Sequence, residues 1–175
     1  MQKNCLVIID MQKGFVNEHT ADIPEKIAGF VGRCGGVFDK IVATRYINAP
    51  DTACYKFEHW ESCMAGSEET ELAEPIKPLV SRVFDKSTYS AFFNEEFRRF
   101  LETERFDKVY FCGVNTGCCV LATVLPVYDS VQDCAVIEDL CGSTTGGDIH
   151  RFSVEVIKSN ITAERVVLSS SFSDM

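Results

Sequence analysis

The stretch GVNTGCCV (Gly113–Val120) lies between an apolar run, KVYFC (Lys108–Cys112), and a helix-like segment, LATVLPVY (Leu121–Tyr128). This order predicts a strand that leads through a tight turn into a helix. The N–H groups and positive partial charge at such a helix start lower the pKa of a thiol and can hold an anion. The turn therefore predicts an α/β protein in which Cys118 or Cys119 could act as a thiolate nucleophile.

Strand-like and helix-like segments alternate along the rest of the chain. Apolar, β-branched runs predict strands at Cys5–Asp10, Lys40–Arg45, Arg82–Asp85, Lys108–Gly113, Cys134–Glu138 and Arg165–Leu168. Helices are predicted over Pro24–Val37, a broken region Glu69–Leu79, Asn94–Glu104, Gly117–Tyr128 and Asp148–Ser159. Near-continuous apolar strands suit burial on both faces of a parallel sheet. We therefore predict a three-layer αβα fold with a doubly wound, mainly parallel, six-stranded sheet of the Rossmann-like kind.

The alternation is not interrupted by a linker, a repeat or a low-complexity tract, so residues 1–175 are predicted to form one domain. The least regular stretch is Ile47–Ser67, and a loop of that length in a compact domain is often functional. Asp22 is predicted to cap the first helix and Asn94 the third. Pro126 is expected to kink or shorten the helix that follows the cysteine pair.

Charge and cysteine usage exclude several classes of function. The net charge is −9 and no basic stripe occurs, so a nucleic-acid partner is not expected. No leader-like or membrane-spanning apolar segment is evident, so we expect no membrane association and a cytoplasmic location. The nine cysteines are irregularly spaced and odd in number, which favours free thiols in a reducing compartment over a disulfide framework.

Three of the predicted strands carry polar or nucleophilic residues at their carboxyl ends, the edge where such folds bind ligands. Asp10 ends the first strand, Lys86 follows the third and the cysteine pair follows the fourth. Taken singly, these residues are more typical of a turn acid, a surface charge and a buried structural sulfur. Together they supply a carboxylate that can accept a thiol proton and an ammonium that stabilises both anions.

Four stretches carry a resemblance to a known family. They are IIDMQKGF (Ile8–Phe15), DKSTYSAF (Asp85–Phe92), GVNTGCCVLAT (Gly113–Thr123) and EDLCGS (Glu138–Ser143). In this order they resemble the motifs of the isochorismatase-like cysteine hydrolases, which include nicotinamidases and N-carbamoylsarcosine amidases. The resemblance extends over nearly the whole chain and implies the isochorismatase-like hydrolase fold.

The resemblance also implies roles for individual residues. The family's motif places its nucleophile three residues beyond a threonine that matches Thr116. The resemblance therefore implies that Cys119, rather than Cys118, is the nucleophile. The family's base and lysine then correspond to Asp10 and Lys86.

Carried over in the same way, the peptide between Val114 and Asn115 is expected to be cis. The N–H groups of Asn115 and Cys119 are expected to form an oxyanion hole for the attacked carbonyl.

Nicotinamidases of this family typically hold a divalent metal through an Asp-x-His pair and later histidines. The matching positions here are Tyr46, Asn48 and Ser62, so the resemblance implies a site with no metal, and no cofactor is expected. Phe15 and Trp60 fall where family members line the substrate pocket, and Asn48 is a further candidate for it.

These expectations favour a metal-independent hydrolase that cleaves a C–N bond of an amide, ureido or carbamoyl group through a thioester. Two alternatives stay open. An isochorismatase-type enzyme would cleave a vinyl ether without needing the cysteine, and a binding protein would keep the fold without turnover. Relatives are usually dimers or larger, so a homo-oligomer acting on a small molecule is expected.

Overall fold

The computed structural model describes residues 2–172. Six strands form one sheet: β1 (Asn4–Ile9), β2 (Lys40–Tyr46), β3 (Arg82–Lys86), β4 (Lys108–Val114), β5 (Cys134–Gly142) and β6 (Val166–Val167). Five α-helices accompany them: α1 (Ile23–Cys34), α2 (Ala53–Glu58), α3 (Glu95–Glu104), α4 (Leu121–Asp129) and α5 (Gly147–Ile161). The strand order is β3-β2-β1-β4-β5-β6 and the strands pair in parallel. The predicted αβα fold is confirmed.

The two central strands are the most deeply buried part of the sheet. Every residue of β1 is buried, and β4 is buried from Val109 to Val114. Helices on both faces remove these strands from water, which explains their unbroken apolar sequence. Because the strands are parallel, their carboxyl ends all meet at one edge of the sheet.

Gly113 lets β4 approach β1 closely at that edge. It pairs with Ile9 and has a φ of +109°, a conformation that side chains with a Cβ rarely adopt. A Cβ on Gly113 would lie 2.2 Å from the carbonyl oxygen of Ile9. The first residue of the motif is therefore a glycine because of backbone contact between the two central strands.

Several predicted boundaries were wrong. The predicted loop at Ile47–Ser67 contains the short helix α2, and the predicted helix at Glu69–Leu79 is reduced to two short 3-10 turns. The last strand is only two residues long, whereas β5 continues to Gly142. Short polar segments are poorly determined by periodicity because their structure depends on packing partners.

The ends of the helices also differ from prediction. Asp22 makes no capping hydrogen bond and instead lies 2.7 Å from the ammonium of Lys26, whereas Asn94 caps α3 through the N–H of Phe97, as predicted. The cysteine pair itself lies in a π-helical turn, Thr116–Val120, which leads directly into α4. Pro126 lies inside α4, which ends three residues later at Asp129.

The helices that cover the sheet are short. The longest, α5, has fifteen residues and contributes Val154, Ile157 and Ile161 to the core. Among residues 2–172, no helix has the length and apolar composition needed to cross a bilayer.

Replacement of Gly113 by alanine is expected to destabilise the fold by about 2 kcal/mol or more, since it forces a Cβ into the backbone of Ile9. Urea unfolding followed by circular dichroism measures this change. Gly36→Ala is the matched control, because a Cβ there meets no atom within 4 Å. Equal unfolding free energies for the two variants would contradict this account of Gly113.

Candidate active site

Asp10, Lys86 and Cys119 meet at the carboxyl edge of the sheet. The ammonium of Lys86 lies 2.6 Å from Oδ2 of Asp10, and both side chains are about 1% exposed. The same ammonium lies 3.5 Å from Sγ of Cys119 and donates a hydrogen bond to the carbonyl of Thr88 at 3.0 Å. A carboxylate and a thiol therefore share one buried cation.

Thr44 on β2 holds the carboxylate of Asp10 from the other side. Its hydroxyl donates to Oδ1 of Asp10 at 2.6 Å and accepts from the N–H of Asp10 at 3.2 Å. Asp10 itself has a φ of 46°, in the left-handed region that aspartate tolerates better than most residues. The sequence analysis missed Thr44, because nothing in an apolar strand marks one threonine as the partner of an acid.

Ionisation at the site is strongly coupled. Burial by itself lowers the pKa of Lys86, but the charges of Asp10 and Cys119 outweigh this effect and hold that pKa above its usual value. The pKa of Cys119 is raised well above its usual value, first by its hydrogen bond with Cys118 and then by burial and by Asp10. Cys119 is therefore a thiol at rest and needs a base.

The neighbouring sulfur behaves in the opposite way. The pKa of Cys118 is lowered, first by the hydrogen bond from Cys119, while burial opposes the shift. Because Cys118 is also the less buried of the two, a thiol reagent can reach it more easily. The sulfur that reacts faster with a reagent is consequently not by that fact the sulfur that attacks a substrate.

The turn that carries Cys119 is fastened at both ends. The Val114–Asn115 peptide is cis, and the side-chain oxygen of Asn115 accepts from the N–H of Thr144 at 2.6 Å. The hydroxyl of Thr116 donates to the carbonyl of Gly142 at 2.9 Å. The cysteine turn is thus tied to the last residue of β5 and to the segment that follows it.

His150 on α5 makes a third attachment to this turn. Its Nδ1 lies 2.8 Å from the hydroxyl oxygen of Thr116. Because that hydroxyl already donates to Gly142, Nδ1 must carry a proton and donate to it. Burial is the main cause that lowers the pKa of His150 below its usual value of 6.5. The sequence analysis assigned no functional role to His150.

A cavity of about 370 Å³ opens onto Cys119, a volume that suits a small molecule. Phe15 and Trp60, which were predicted to line the substrate pocket, line this cavity, and their rings stack with centroids 5.8 Å apart. The other residues of the lining are Gly14, Asn17, Tyr46, Cys54, Glu58, Tyr89, Thr144 and Thr145. Glu58 and Tyr89 were not predicted to belong to it.

Asn48 does not line this cavity, so its assignment to the substrate pocket needs correction. The side chain is fully buried and donates to the carbonyls of Trp60 at 2.7 Å and Ser62 at 3.0 Å. Its oxygen accepts from the hydroxyl of Thr52 at 2.5 Å. Both ends of the amide are used to hold the loop around α2.

The positions at which related nicotinamidases are expected to hold a metal carry Tyr46, Asn48 and Ser62. Tyr46 is a phenol, and the amide of Asn48 is committed to the loop. Among residues 2–172, no group of three or more His, Cys, Asp or Glu side chains has the geometry to hold a metal ion. These residues do not fit the metal site of that branch of the family.

The sequence matches the family model described as the isochorismatase domain over residues 4–169. The chain therefore belongs to the isochorismatase family. A curated relative, the isochorismatase family protein YddQ of Bacillus subtilis, is 31% identical over 80 residues. That match spans 45% of this chain and 44% of the relative, less than half of either length.

Solved structures with the same fold share little sequence. An isochorismatase-like hydrolase from Alkaliphilus metalliredigens is 17% identical and superposes with a TM-score of 0.85 over 97% of both chains. N-carbamoylsarcosine amidase from Thermoplasma acidophilum is 20% identical, with a TM-score of 0.83 over 95% of this chain and 96% of the other. Nicotinamidase from Bacillus subtilis is also 20% identical, with a TM-score of 0.82 over 95% and 99%.

The contact between His150 and Thr116 predicts a pH dependence of stability. A base whose pKa is lowered by folding binds a proton more readily when unfolded, so stability is lost as the pH falls below 6.5. The variant His150→Asn is expected to show a weaker loss between about pH 7 and pH 5. Denaturant titrations at both pH values measure it, with His19→Asn as the control. Parallel curves for wild type and His150→Asn would refute the prediction.

Proposed function

We propose that this protein hydrolyses a C–N bond of a small amide, ureide or carbamoyl compound through a thioester on Cys119, without a metal. The observation that carries the proposal is the shared ammonium of Lys86, 2.6 Å from Asp10 and 3.5 Å from Cys119. The carboxylate of Asp10 is a buried acceptor for the thiol proton, and the ammonium of Lys86 is a cation that balances the charges. That two of the structural relatives are amidases by name adds support.

In the first half of the reaction, the carboxylate of Asp10 accepts the proton of Cys119 as the sulfur bonds to the substrate carbonyl carbon. The carbonyl π electrons move to oxygen, and the N–H groups of Asn115 and Cys119 hold the resulting oxyanion. The C–N bond then breaks. The departing nitrogen takes the proton from Asp10, leaving a thioester and a free amine.

In the second half, the oxygen of a water molecule attacks the thioester carbon while Asp10 accepts a proton from that water. Collapse of the second oxyanion breaks the C–S bond, and the sulfur of Cys119 regains its proton from Asp10. One water is consumed, and the products are an amine and an acid. Lys86 stays protonated throughout and offsets negative charge, first on Asp10 and then on sulfur.

Hydrolysis of a vinyl ether is the second candidate function, since Asp10 and Lys86 alone could supply its acid chemistry. The position of Cys119 favours the amidase: its sulfur lines the cavity and contacts the same ammonium. A non-catalytic binding protein would have no need to keep a buried acid, amine and thiol in contact, because burial of such charges is costly.

The cytosol is the proposed location, because all nine cysteines are free thiols and such a set persists in a reducing compartment. A homo-oligomer is proposed as well, on the resemblance to the family alone.

Removal of the two sulfurs one at a time tests the thioester. Cys119→Ala is expected to lower kcat/KM for a hydrolysed amide by a factor on the order of 10⁴, whereas Cys118→Ala is expected to retain activity within about tenfold. Mass spectrometry of the acid-quenched enzyme should show the acyl group on Cys119. Full activity in Cys119→Ala with a loss in Cys118→Ala would reverse the assignment.

A second pair of variants separates the amidase from the vinyl-ether hydrolase. For an amidase, both Cys119→Ala and Asp10→Asn should abolish turnover of the wild-type substrate, because each removes a group needed for the thioester. For a vinyl-ether hydrolase, isochorismate turnover should survive Cys119→Ala and be lost in Asp10→Asn. The release of ammonia or amine, or of pyruvate, is the measured product.

A further inference from the structure

We propose that the cavity above Cys119 selects substrates that carry an organic cation, such as an ammonium or guanidinium group. Glu58 and the aromatic rings of Phe15 and Trp60 hold this group. The inference rests on the proposed function for the position of the reacting carbonyl, and it adds the chemical class of the substrate.

The charge of the lining points to a cation. Of the residues in the described part of the chain that line the cavity, Glu58 is the only one with a formal charge at neutral pH. The cation nearest to Cys119, Lys86, is paired with Asp10 and is about 1% exposed. An anionic substrate group would therefore meet a carboxylate and no free cation, whereas a cationic group would meet its counter-ion.

Glu58 is held in place at the cavity. It is the last residue of α2, and its Oε1 accepts a hydrogen bond from the hydroxyl of Tyr89 at 2.6 Å. The thiol of Cys54 contacts the same hydroxyl at 3.5 Å. Glu58 forms no ion pair with any residue from 2 to 172, so the second carboxylate oxygen is left for a ligand.

The aromatic side chains supply the rest of the cation site. The rings of Phe15 and Trp60 are stacked at 5.8 Å with an angle of 16° between them, and Tyr46 lies 5.8 Å from Trp60. The negative faces of such rings attract ammonium and guanidinium groups, most strongly where water is excluded. The ring of Tyr46 already has the ammonium of Lys86 5.2 Å from its centroid, so Phe15 and Trp60 are the rings that, with one carboxylate, recognise an organic cation.

The neutral polar groups of the lining are largely occupied. The amide nitrogen of Asn17 donates to the carbonyl of Thr144 at 2.8 Å, and the hydroxyls of Thr145 and Ser143 lie 2.8 Å apart. These groups therefore have few free hydrogen-bond donors to replace the water around an acidic substrate group. The net charge of −9 further raises the local concentration of cations around the protein.

The test compares two primary amides of the same shape. One is the amide of a trimethylammonium-bearing butanoic acid, and in the other a tert-butyl group replaces the trimethylammonium group. Wild type is expected to hydrolyse the cationic amide with a kcat/KM at least about tenfold higher. In Glu58→Gln this preference should fall to within about twofold, because kcat/KM should fall more for the cationic amide than for the neutral one. Glu61→Gln, which removes an exposed acid outside the lining, should keep the preference.

A binding measurement separates this inference from the proposed function. Benzyltrimethylammonium should slow the alkylation of Cys119 by iodoacetamide in wild type and Glu61→Gln but not in Glu58→Gln, with Cys118 and Cys119 scored separately by peptide fragmentation. Protection without turnover of either amide supports the cation site and counts against the amidase. Equal hydrolysis of both amides without protection overturns the cation site and leaves the amidase standing.

Discussion

The contact between the carboxylate of Asp10 and the ammonium of Lys86 is the interaction on which the site depends. Both charges are removed from water, and desolvation of such a pair can cost more than its attraction returns unless other polar groups complete it. Thr44 and Thr88 provide those groups, and Cys119 takes the remaining side of the ammonium. Without this pair the sulfur would have neither a proton acceptor nor a neighbouring cation, so the proposed reaction depends on it.

The order of the strands brings the pair together. Asp10 follows β1, Lys86 ends β3, and Cys119 lies just beyond β4. In the sheet, β2 lies between β1 and β3 and contributes Thr44 at the point where the acid needs a donor. Since the strands run in parallel, residues distant in sequence reach the same edge of the sheet. Gly113 allows β1 and β4 to approach closely there, just before Asp10 on one strand and the cysteine turn on the other.

The groups proposed to react and the lining of the cavity come from different parts of the chain. Asp10, Lys86 and Cys119 lie at the carboxyl ends of β1, β3 and β4, whereas most of the aromatic and acidic lining comes from loops and from α2. Asn48 is an example: the resemblance to nicotinamidases aligns it with an expected metal ligand, yet here its amide fastens the loop that presents Trp60. The side chains that line the cavity could therefore differ without moving the strand ends.

From the sequence alone, the alternation of apolar runs and helical segments predicted the sheet, and the spacing around Cys119 identified the family, because both are properties of local sequence. The tertiary structure decided which polar groups become partners. Thr44 beside Asp10, His150 beside Thr116 and Glu58 beside Tyr89 carry no local signal, because each contact joins segments far apart in the chain. The short helix α2 and the place of Asn48 were decided in the same way, by contacts that exist only after the chain has packed.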